Sequence, residues 1–349
     1  MTTHNKEGEQ YFYYKNSSRK ITPFPDRKSQ NIAKDKLLDI KNNYFDSIPS
    51  EFKEEWDKVK LFHPAGDVDK AHSLILQPEE GAYDLKNKLN HLTGKEWTKF
   101  TCSWFIFNAL KKDLAEEKAI SKNSDEHPAT YSPTMISEFV NFFTKEGQKV
   151  LDPFCGIGST LVACKRTGRV GYGTELNEKY FTITKKRVPE FESNIHNTDC
   201  RNLAKIFDKD SFDFSISSPP YWDVLNRSTK DFKKKREEGG LDYNYSTENQ
   251  DLGNIEDYNY FLESLTNIYL DIHKLLKKGA YIVIIVKNIK KGGKMYPLAW
   301  DLARNLSSLY VLKDEKLWIQ DKVGLAPYGY PSSWASNILH HYCLILRKE

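Results

Sequence analysis

The sequence predicts an α/β protein, with a doubly wound, Rossmann-like sheet in residues 127–349 and a mostly helical region in residues 1–126. Two observations indicate this class. From residue 126 onward, short apolar runs rich in β-branched residues alternate with helical patterns, as in sheets that carry helices on both faces. The first of these runs passes through a glycine-rich turn into a helix, which is typical of parallel sheets that bind nucleotide-like ligands.

The N-terminal region is expected to be mostly helical, because proline and glycine residues separate segments with helical patterns. It carries 21 basic and 21 acidic residues, so the formal net charge of +4 lies entirely in the remainder of the chain. The polar residues 123–125 form the predicted linker. The helices are predicted at 32–44, 50–60, 82–92 and 103–118.

Seven strands are predicted after residue 126. The run 280–286 is too short to span a membrane and is rich in β-branched residues, so it is predicted to be a central strand. Helices are predicted at 134–144 and 258–276. The other strands are predicted near 149–153, 169–174, 194–198, 212–217, 310–319 and 342–347.

Composition narrows the class of protein. A length of 349 residues with 39% hydrophobic residues supports a substantial core. The five cysteines have no regular spacing, so neither a disulfide framework nor a zinc or other metal site is predicted. No signal peptide or membrane-spanning run is visible, and a cytoplasmic protein without membrane contact is expected.

The stretch 149–176 carries the first chemical signal. A strand is followed by a turn with Gly156 and Gly158, an apolar helix, and a second strand that ends at Glu175. Glycine lets a ligand approach the backbone where a Cβ would clash. An acid about 20 residues beyond such a turn suits the hydroxyls of an adenosine ribose. An ordinary tight turn would give the same local pattern, and the absence of a phosphate-loop motif argues against a nucleoside triphosphate.

A second motif makes the interpretation specific. The buried strand predicted at 212–217 continues directly into the tetrapeptide SPPY at 218–221. Together, DPFCGIGST and SPPY resemble the S-adenosylmethionine-dependent DNA amino-methyltransferases, which methylate cytosine N4 or adenine N6. The resemblance covers roughly residues 126–348 and implies a seven-stranded methyltransferase sheet whose last strand runs antiparallel.

The resemblance also implies S-adenosyl-L-methionine as the cofactor. The DPFCGIGST residues match the methionine end of that cofactor, and Glu175 matches the acid that binds its ribose. The segment HPATYSP resembles the family's HPA-x-F-P segment, which borders the cofactor, although it has one extra residue before the second proline. The candidate cofactor contacts are His127, Thr130, Pro133, Asp152, Phe154, Gly156, Gly158, Thr160, Glu175 and Asp199.

Asp199 supports two interpretations. It follows the third predicted strand, where its carboxylate can reach the adenine amine of the cofactor. A carboxylate in this place can equally cap the helical segment that begins near Asn202. The sequence leaves both open.

The candidate catalytic element is the SPPY loop. Exocyclic amines of bases are poor nucleophiles, because their lone pair is delocalised into the ring. The Ser218 hydroxyl and the Pro219 carbonyl can accept hydrogen bonds from the amino hydrogens, which favours a tetrahedral, nucleophilic nitrogen. Pro219 and Pro220 stiffen the loop, and Tyr221 offers a face for stacking on an extruded base. The alternative is a structural turn with a tyrosine anchor. Cys155 is expected to be a small packed residue, not a nucleophile.

A basic stretch follows the catalytic loop. Residues 227–236 have the sequence RSTKDFKKKR, with a net charge of +5. Such a stretch can contact DNA phosphates, and a solvated helix is the alternative, since Glu237 and Glu238 follow. The candidate DNA-binding residues are Arg227, Lys230, Lys233, Lys234, Lys235 and Arg236.

Many members of the resembled family run from a catalytic half through a recognition region to a cofactor half, and rotating that order to match this sequence implies target recognition in residues 1–126. The resulting hypothesis is a site-specific methyltransferase that acts on a flipped base of double-stranded DNA. Cytosine N4 is favoured over adenine N6, since the motif opens with serine. A restriction–modification or related DNA-marking system is implied, with a cognate restriction endonuclease as a candidate partner. The alternatives are a transfer-RNA-type base methyltransferase and a non-catalytic DNA-binding subunit; no oligomeric state is predicted.

Overall fold

Two units make up the chain. The first comprises residues 1–102 and 144–146, and the second comprises residues 103–143 and 147–349. The boundary predicted at residue 126 lies outside the described residues and stays a prediction. None of the helices in the described ranges is long and apolar enough to cross a membrane. A computed structural model describes residues 13–15, 21–63, 65–77, 79, 81–107, 131–222 and 252–349.

The described part of the first unit combines helices with a five-stranded sheet. Its helices are α1 (Arg27–Tyr44), α2 (Ser50–Glu54) and α3 (Gly94–Phe100), and its strands are β1 (Tyr13–Lys15), β2 (Ile21–Pro23), β3 (Lys60–His63), β4 (Ser73–Ile75) and β5 (Ala82–Asp84). The strand order is β2-β1-β3-β4-β5. Helix α1 buries Ala33, Leu37 and Ile40, which share one face at helical spacing.

The prediction of a helix at 82–92 is wrong. Residues 82–84 form β5, which pairs antiparallel with β4 and buries Tyr83. The Asn87 side chain then accepts hydrogen bonds from the backbone N–H groups of Leu89 (3.0 Å) and Asn90 (3.1 Å). Because asparagine offers the backbone these local partners, the chain turns here instead of forming a helix. The prediction at 32–44 is confirmed by α1, whereas the one at 50–60 is confirmed only over α2.

The second unit is built on an eight-stranded sheet within the described residues. Its strands are β6 (Trp104–Ile106), β7 (Lys149–Asp152), β8 (Val170–Glu175), β9 (Ile195–Asn197), β10 (Phe212–Ser217), β11 (Leu276–Val286), β14 (Val311–Ile319) and β15 (His340–Arg347); β12 (Ile289–Lys291) and β13 (Lys294–Tyr296) form a separate hairpin. Its helices are α4 (Pro133–Phe143), α5 (Ser159–Arg166), α6 (Glu178–Arg187), α7 (Leu203–Ile206), α8 (Tyr258–Leu275) and α9 (Leu298–Leu306).

The strand order confirms the predicted doubly wound sheet. It is β6-β14-β15-β11-β10-β7-β8-β9, and β15 runs antiparallel to both of its neighbours. Strands β7 to β11 are parallel, so their carboxyl ends meet at one edge, which we call the carboxyl edge. The order reverses between β7 and β10, and ligands of such sheets bind in the crevice at that point. In β11, residues 282–286 are fully buried, as expected for a central strand covered on both faces.

The helix predicted at 103–118 is wrong at its start. Residues 104–106 form β6, which pairs in parallel with β14 and extends the predicted seven strands to eight. Aromatic and β-branched residues favour a strand here, and the partner strand lies about 210 residues later in the sequence. The rest of the predicted helix lies outside the described residues.

Candidate active site

The turn between β7 and α5 has a shape that requires glycine. Gly156 and Gly158 have φ angles of 52° and 86°, in the left-handed region that other residues rarely adopt. Gly158 immediately precedes α5, and a Cβ at this position would lie 2.7 Å from Cγ2 of Thr184 on α6. The turn and α6 therefore approach each other too closely for a side chain at position 158.

Glu175 holds this turn from the end of β8. Its Oε2 accepts a hydrogen bond from the N–H of Gly156 (2.8 Å), and its Oε1 accepts one from the N–H of Asn177 (2.9 Å). The Thr184 hydroxyl donates to the Gly156 carbonyl (2.8 Å). Each carboxylate oxygen has a second lone pair. Since Glu175 is half-buried, its carboxylate can hold the turn and still accept hydrogen bonds from ribose hydroxyls.

Asp152, at the end of β7, is a fully buried carboxylate. Its Oδ2 accepts hydrogen bonds from the hydroxyls of Thr160 (2.5 Å) and Tyr131 (2.9 Å), and its Oδ1 accepts one from the N–H of Phe154 (3.0 Å). Burial raises the pKa of Asp152 to about 6, although these three hydrogen bonds oppose that shift. The carboxylate thereby ties β7 to the start of α5 and to the segment before α4.

Tyr131 belongs to this cluster, and sequence reasoning missed it. Its position inside the HPATYSP segment was the signal that could have found it. Burial and the nearby Asp152 carboxylate raise the pKa of Tyr131 well above its ordinary value, so its hydroxyl keeps its proton and remains a donor. Pro133 is buried as the first residue of α4, a position that suits proline. His127 and Thr130 lie outside the described residues.

The SPPY loop leaves the sheet next to the glycine turn. Strand β10 pairs in parallel with β7, with Ser215 opposite Leu151, so both loops begin at the carboxyl edge on neighbouring strands. Pro219 is buried, whereas the other three residues of the loop are half-buried. The hydroxyl of Ser217, the last residue of β10, is 2.9 Å from the buried Tyr269 hydroxyl. The strand end from which the loop starts is thereby fixed.

A chain of hydrogen-bonded side chains extends from the loop. The Ser218 hydroxyl lies 3.2 Å from the Tyr221 hydroxyl, which lies 2.9 Å from Nδ1 of His341. Nε2 of His341 is 3.3 Å from Oε1 of Gln320. In the β14–β15 ladder, His341 is opposite Trp318, and the two rings stack with centroids 4.5 Å apart. We call Ser218, Tyr221, His341 and Gln320 the relay; its last two members were missed by sequence reasoning, which had no signal for them.

Trp222 anchors the far side of the loop. It is buried, and its Nε1 donates to the Glu256 carbonyl (3.2 Å). Its ring centroid is 5.1 Å from that of Tyr258 and 4.7 Å from that of Tyr296. The Lys291 ammonium lies 4.5 Å from the same ring. The residue after Tyr221 is therefore held in place, and the SPPY loop is supported at both ends.

Asp199 accepts hydrogen bonds as expected of a helix cap, which is one of its two interpretations. Its Oδ1 accepts a hydrogen bond from the N–H of Arg201 (2.8 Å), and the Arg201 Nε also contacts both carboxylate oxygens (2.9 and 3.0 Å). Burial opposes ionisation, but these hydrogen bonds outweigh it and lower the pKa of Asp199. The adenine contact stays a prediction. The candidate DNA-binding residues of the stretch 227–236 lie outside the described residues.

Two turn residues complete the site. Phe154 is half-buried, with its ring centroid 6.3 Å from that of Tyr269. Cys155 is buried, and burial raises the pKa of its thiol well above the ordinary value. The thiol therefore stays protonated, which agrees with the expectation of a packed residue. Within the described part of the chain, no group of three or more His, Cys, Asp or Glu residues could hold a metal ion.

A comparison with protein families identifies the family of this chain. The model of a family described as DNA methylase matches residues 5–186, which is more than half of the chain. The chain belongs to this DNA methylase family. Similar curated proteins include the type II methyltransferases M2.DpnII of Streptococcus pneumoniae (36% identity over 78 residues, 22% of this chain and 29% of the relative) and M.SmaI of Serratia marcescens (40% over 97 residues, 24% and 33%). The chain thus spans about a third or less of the length of these relatives.

Solved structures similar to this chain include a methyltransferase from Pyrococcus furiosus, with 17% identity and a TM-score of 0.40. The match covers 68% of this chain and 97% of that protein. A SAM-dependent O-methyltransferase from Thermotoga maritima has 12% identity and a TM-score of 0.38, with coverage of 67% and 71%.

The methylases of this family use S-adenosyl-L-methionine, which is the cofactor of this chain. The residues of the site fit this group. The glycine turn offers backbone without side chains, and the half-buried Glu175 carboxylate has lone pairs for a ribose. When bound, the cofactor supplies a methyl group on a positively charged sulfur. The individual cofactor contacts stay predictions.

Proposed function

We propose that this chain is a site-specific DNA methyltransferase that methylates the exocyclic amine of a flipped base. One observation carries the proposal: the glycine turn and the SPPY loop leave the neighbouring strands β7 and β10, on either side of the point where the strand order reverses. A cofactor at the turn and a base at the loop are then adjacent. Holding two reactants in line supplies much of the rate of such a transfer.

In the proposed mechanism, the target amine donates hydrogen bonds to the Ser218 hydroxyl oxygen and the Pro219 carbonyl. These acceptors draw the nitrogen toward a tetrahedral form whose lone pair can attack. With the cofactor bound, this nitrogen would take up the methyl group, and the electron pair of the carbon–sulfur bond would stay on the sulfur. The nitrogen then releases one proton to solvent. Tyr221 stacks on the extruded base. This contact offsets part of the free energy that is lost when the base leaves the stack of the duplex.

We propose cytosine N4 as the favoured target over adenine N6, because the catalytic motif opens with serine. Residues 1–126 would recognise the target sequence, and the basic stretch 227–236 would contact phosphates. The substrate would be double-stranded DNA in the cytoplasm. A cognate restriction endonuclease would be the partner if the enzyme serves restriction–modification.

The proposal is tested with purified protein, radiolabelled S-adenosylmethionine, and either duplex DNA or transfer RNA. Digestion of the product to nucleosides and mass spectrometry would identify the methylated base. We expect N4-methylcytosine in DNA, and about 100-fold less of it with the Ser218→Ala variant. Label in RNA alone would support the RNA alternative. Cofactor binding without any transfer would support the non-catalytic alternative.

A further inference from the structure

We infer that His341 is a positioning residue for the catalytic loop. Through the Tyr221 hydroxyl, it turns the hydroxyl hydrogen of Ser218 away from the substrate, so that Ser218 Oγ presents lone pairs to the target amine. The inference deepens the proposed function and rests on it, because it assumes that Ser218 accepts a hydrogen bond from that amine.

A serine at this position needs such control. A hydroxyl group is both a donor and an acceptor, and its hydrogen rotates to suit its neighbours. If Ser218 donated to the amine nitrogen, it would occupy the lone pair that must attack the methyl carbon. An ionised aspartate in the same place would be an acceptor only. The serine therefore requires a neighbour that takes up its hydrogen, and Tyr221 Oη, at 3.2 Å, is in reach.

The direction of the relay follows from its far end. Gln320 presents its carbonyl oxygen Oε1 to Nε2 of His341, so that nitrogen carries the hydrogen. A neutral imidazole with a hydrogen on Nε2 has an acceptor at Nδ1. The Tyr221 hydroxyl then donates to Nδ1, and its oxygen accepts from Ser218. The backbone N–H of Gln320 donates to the Leu339 carbonyl (2.8 Å), which continues the β14–β15 ladder and places the amide.

The relay works only while His341 is neutral, because an imidazolium would donate from Nδ1 to the Tyr221 hydroxyl and so reverse the bonds that lead to Ser218. Burial, the nearby positive charge of Lys287 and the neighbouring His340 together lower the pKa of His341 to about 3, and burial contributes most. Lys287 follows β11 and Tyr221 follows β10, while β15 begins at the same edge because it is antiparallel. The ring is thus kept uncharged at the edge where the loop lies.

Two substitutions at position 341 separate the hydrogen bond from packing. His341→Phe keeps a ring that can stack on Trp318 but has no acceptor. His341→Asn places an amide oxygen near the position of Nδ1. We expect kcat to fall about tenfold in the phenylalanine variant, as for one lost hydrogen bond, and to recover to within about threefold in the asparagine variant. The KM for DNA and the Kd for S-adenosylmethionine should stay unchanged in both.

A double-mutant cycle tests whether the groups act in series. Tyr221→Phe removes only the hydroxyl, so it should lower kcat as much as His341→Phe, and the double variant should lose no more than either one. Losses that multiply would overturn the inference. So would an equal loss in His341→Asn and His341→Phe accompanied by a lower Tm, since that result indicates a purely structural role.

NMR of ¹⁵N-histidine-labelled protein tests the direction of the relay without any DNA. We expect a neutral His341 with its hydrogen on Nε2 between about pH 5 and pH 8, and a change of the Nδ1 shift in Tyr221→Phe. A hydrogen on Nδ1 would overturn the inference even in an active enzyme. An inactive wild-type enzyme with the expected tautomer would instead refute the proposed function, while the direction of the relay would stand.

Discussion

Replacement of Gly158 by alanine should disable the cofactor site, and its cost can be worked out from the structure. At a φ of 86°, a Cβ meets the following carbonyl, which costs about 1–2 kcal/mol. The same Cβ would lie 2.7 Å from Cγ2 and 3.1 Å from Oγ1 of Thr184, so the Thr184 side chain or the turn must shift. Overpacking of this kind costs about 1–3 kcal/mol. We therefore expect a total loss of about 2–5 kcal/mol, located at the turn that Glu175 holds.

Two further variants separate the backbone part of this loss of stability from the steric part. Gly147, in the turn before β7, has a φ of 76°, and a Cβ there would meet no heavy atom within 4 Å. Gly147→Ala should therefore show only the backbone part, about 1–2 kcal/mol. Adding Thr184→Ser to Gly158→Ala removes the closest carbon but keeps the hydroxyl that donates to Gly156. This second change should recover most of the steric part.

Urea unfolding would measure the free energy of each variant, and isothermal titration calorimetry would measure its affinity for S-adenosylmethionine. We expect Gly158→Ala to weaken cofactor binding by at least about tenfold, and Gly147→Ala to leave it unchanged. Equal losses of stability in the two alanine variants, with normal cofactor affinity in both, would refute the steric reasoning.

Four other perturbations test separate parts of the molecule. Ser218→Ala should lower methyl transfer about 100-fold, as for a lost transition-state hydrogen bond, with cofactor affinity by calorimetry unchanged; a parallel loss of affinity would contradict the assignment of the two loops to two ligands. Burial raises the pKa of Asp152 from 3.8 to about 6, so the folded protein binds the proton more tightly and loses stability as the pH rises through 6. The free energy of unfolding of Asp152→Asn, relative to wild type, should therefore rise by about 2 kcal/mol between about pH 4.5 and pH 7.5, and a constant difference would count against a buried charge. Substitution of Lys233, Lys234 and Lys235 by glutamine should weaken binding to all DNA sequences alike and reduce the salt slope by up to about three units, at about 0.9 per phosphate contact; a changed methylated sequence would argue against phosphate contacts. Exchange of residues 1–126 for those of a relative should change the methylated sequence in single-molecule sequencing, and an unchanged sequence would exclude this region from recognition.

The glycine turn and the central strands of the second unit were predictable because their determinants are local. A strand, a turn with two left-handed glycines and a helix follow one another within 149–166, and each has its own sequence signal. The apolar run 280–286 could be placed at the centre of the sheet from its composition alone. The resemblance then implied an antiparallel last strand, whereas the order of the strands came from the structure.

The N-terminal sheet could not be predicted in the same way. Residues 82–92 place Ala82, Leu85, Leu89 and Leu92 at a spacing that also fits one face of a helix. What decides the structure is the pairing of β5 with β4 and the hydrogen bonds of the Asn87 side chain. The pairing depends on another strand, and the hydrogen bonds of the Asn87 side chain are not part of any helix or strand propensity.

The relay, too, could not be predicted, because it joins residues that lie far apart in the sequence. His341 reaches Tyr221 across 120 residues of sequence, through a strand that inserts antiparallel between β11 and β14. A histidine near the start of a strand carries no signal for this contact. Tyr131 differs, because it lies within a segment already associated with the cofactor, and only its hydrogen bond to Asp152 had to come from the structure.

Strand β6 has a consequence for how the second unit can be isolated. A fragment that begins at the predicted boundary, residue 127, would lack β6 and leave the backbone of residues 317–319 without its parallel partner. The indole of Trp318 would also lose the Phe107 carbonyl, to which it donates at 2.8 Å. Uncovered strand edges pair with other chains and promote aggregation. Such a fragment is expected to self-associate. A fragment that begins at residue 103 keeps β6 and therefore keeps the edge of β14 paired.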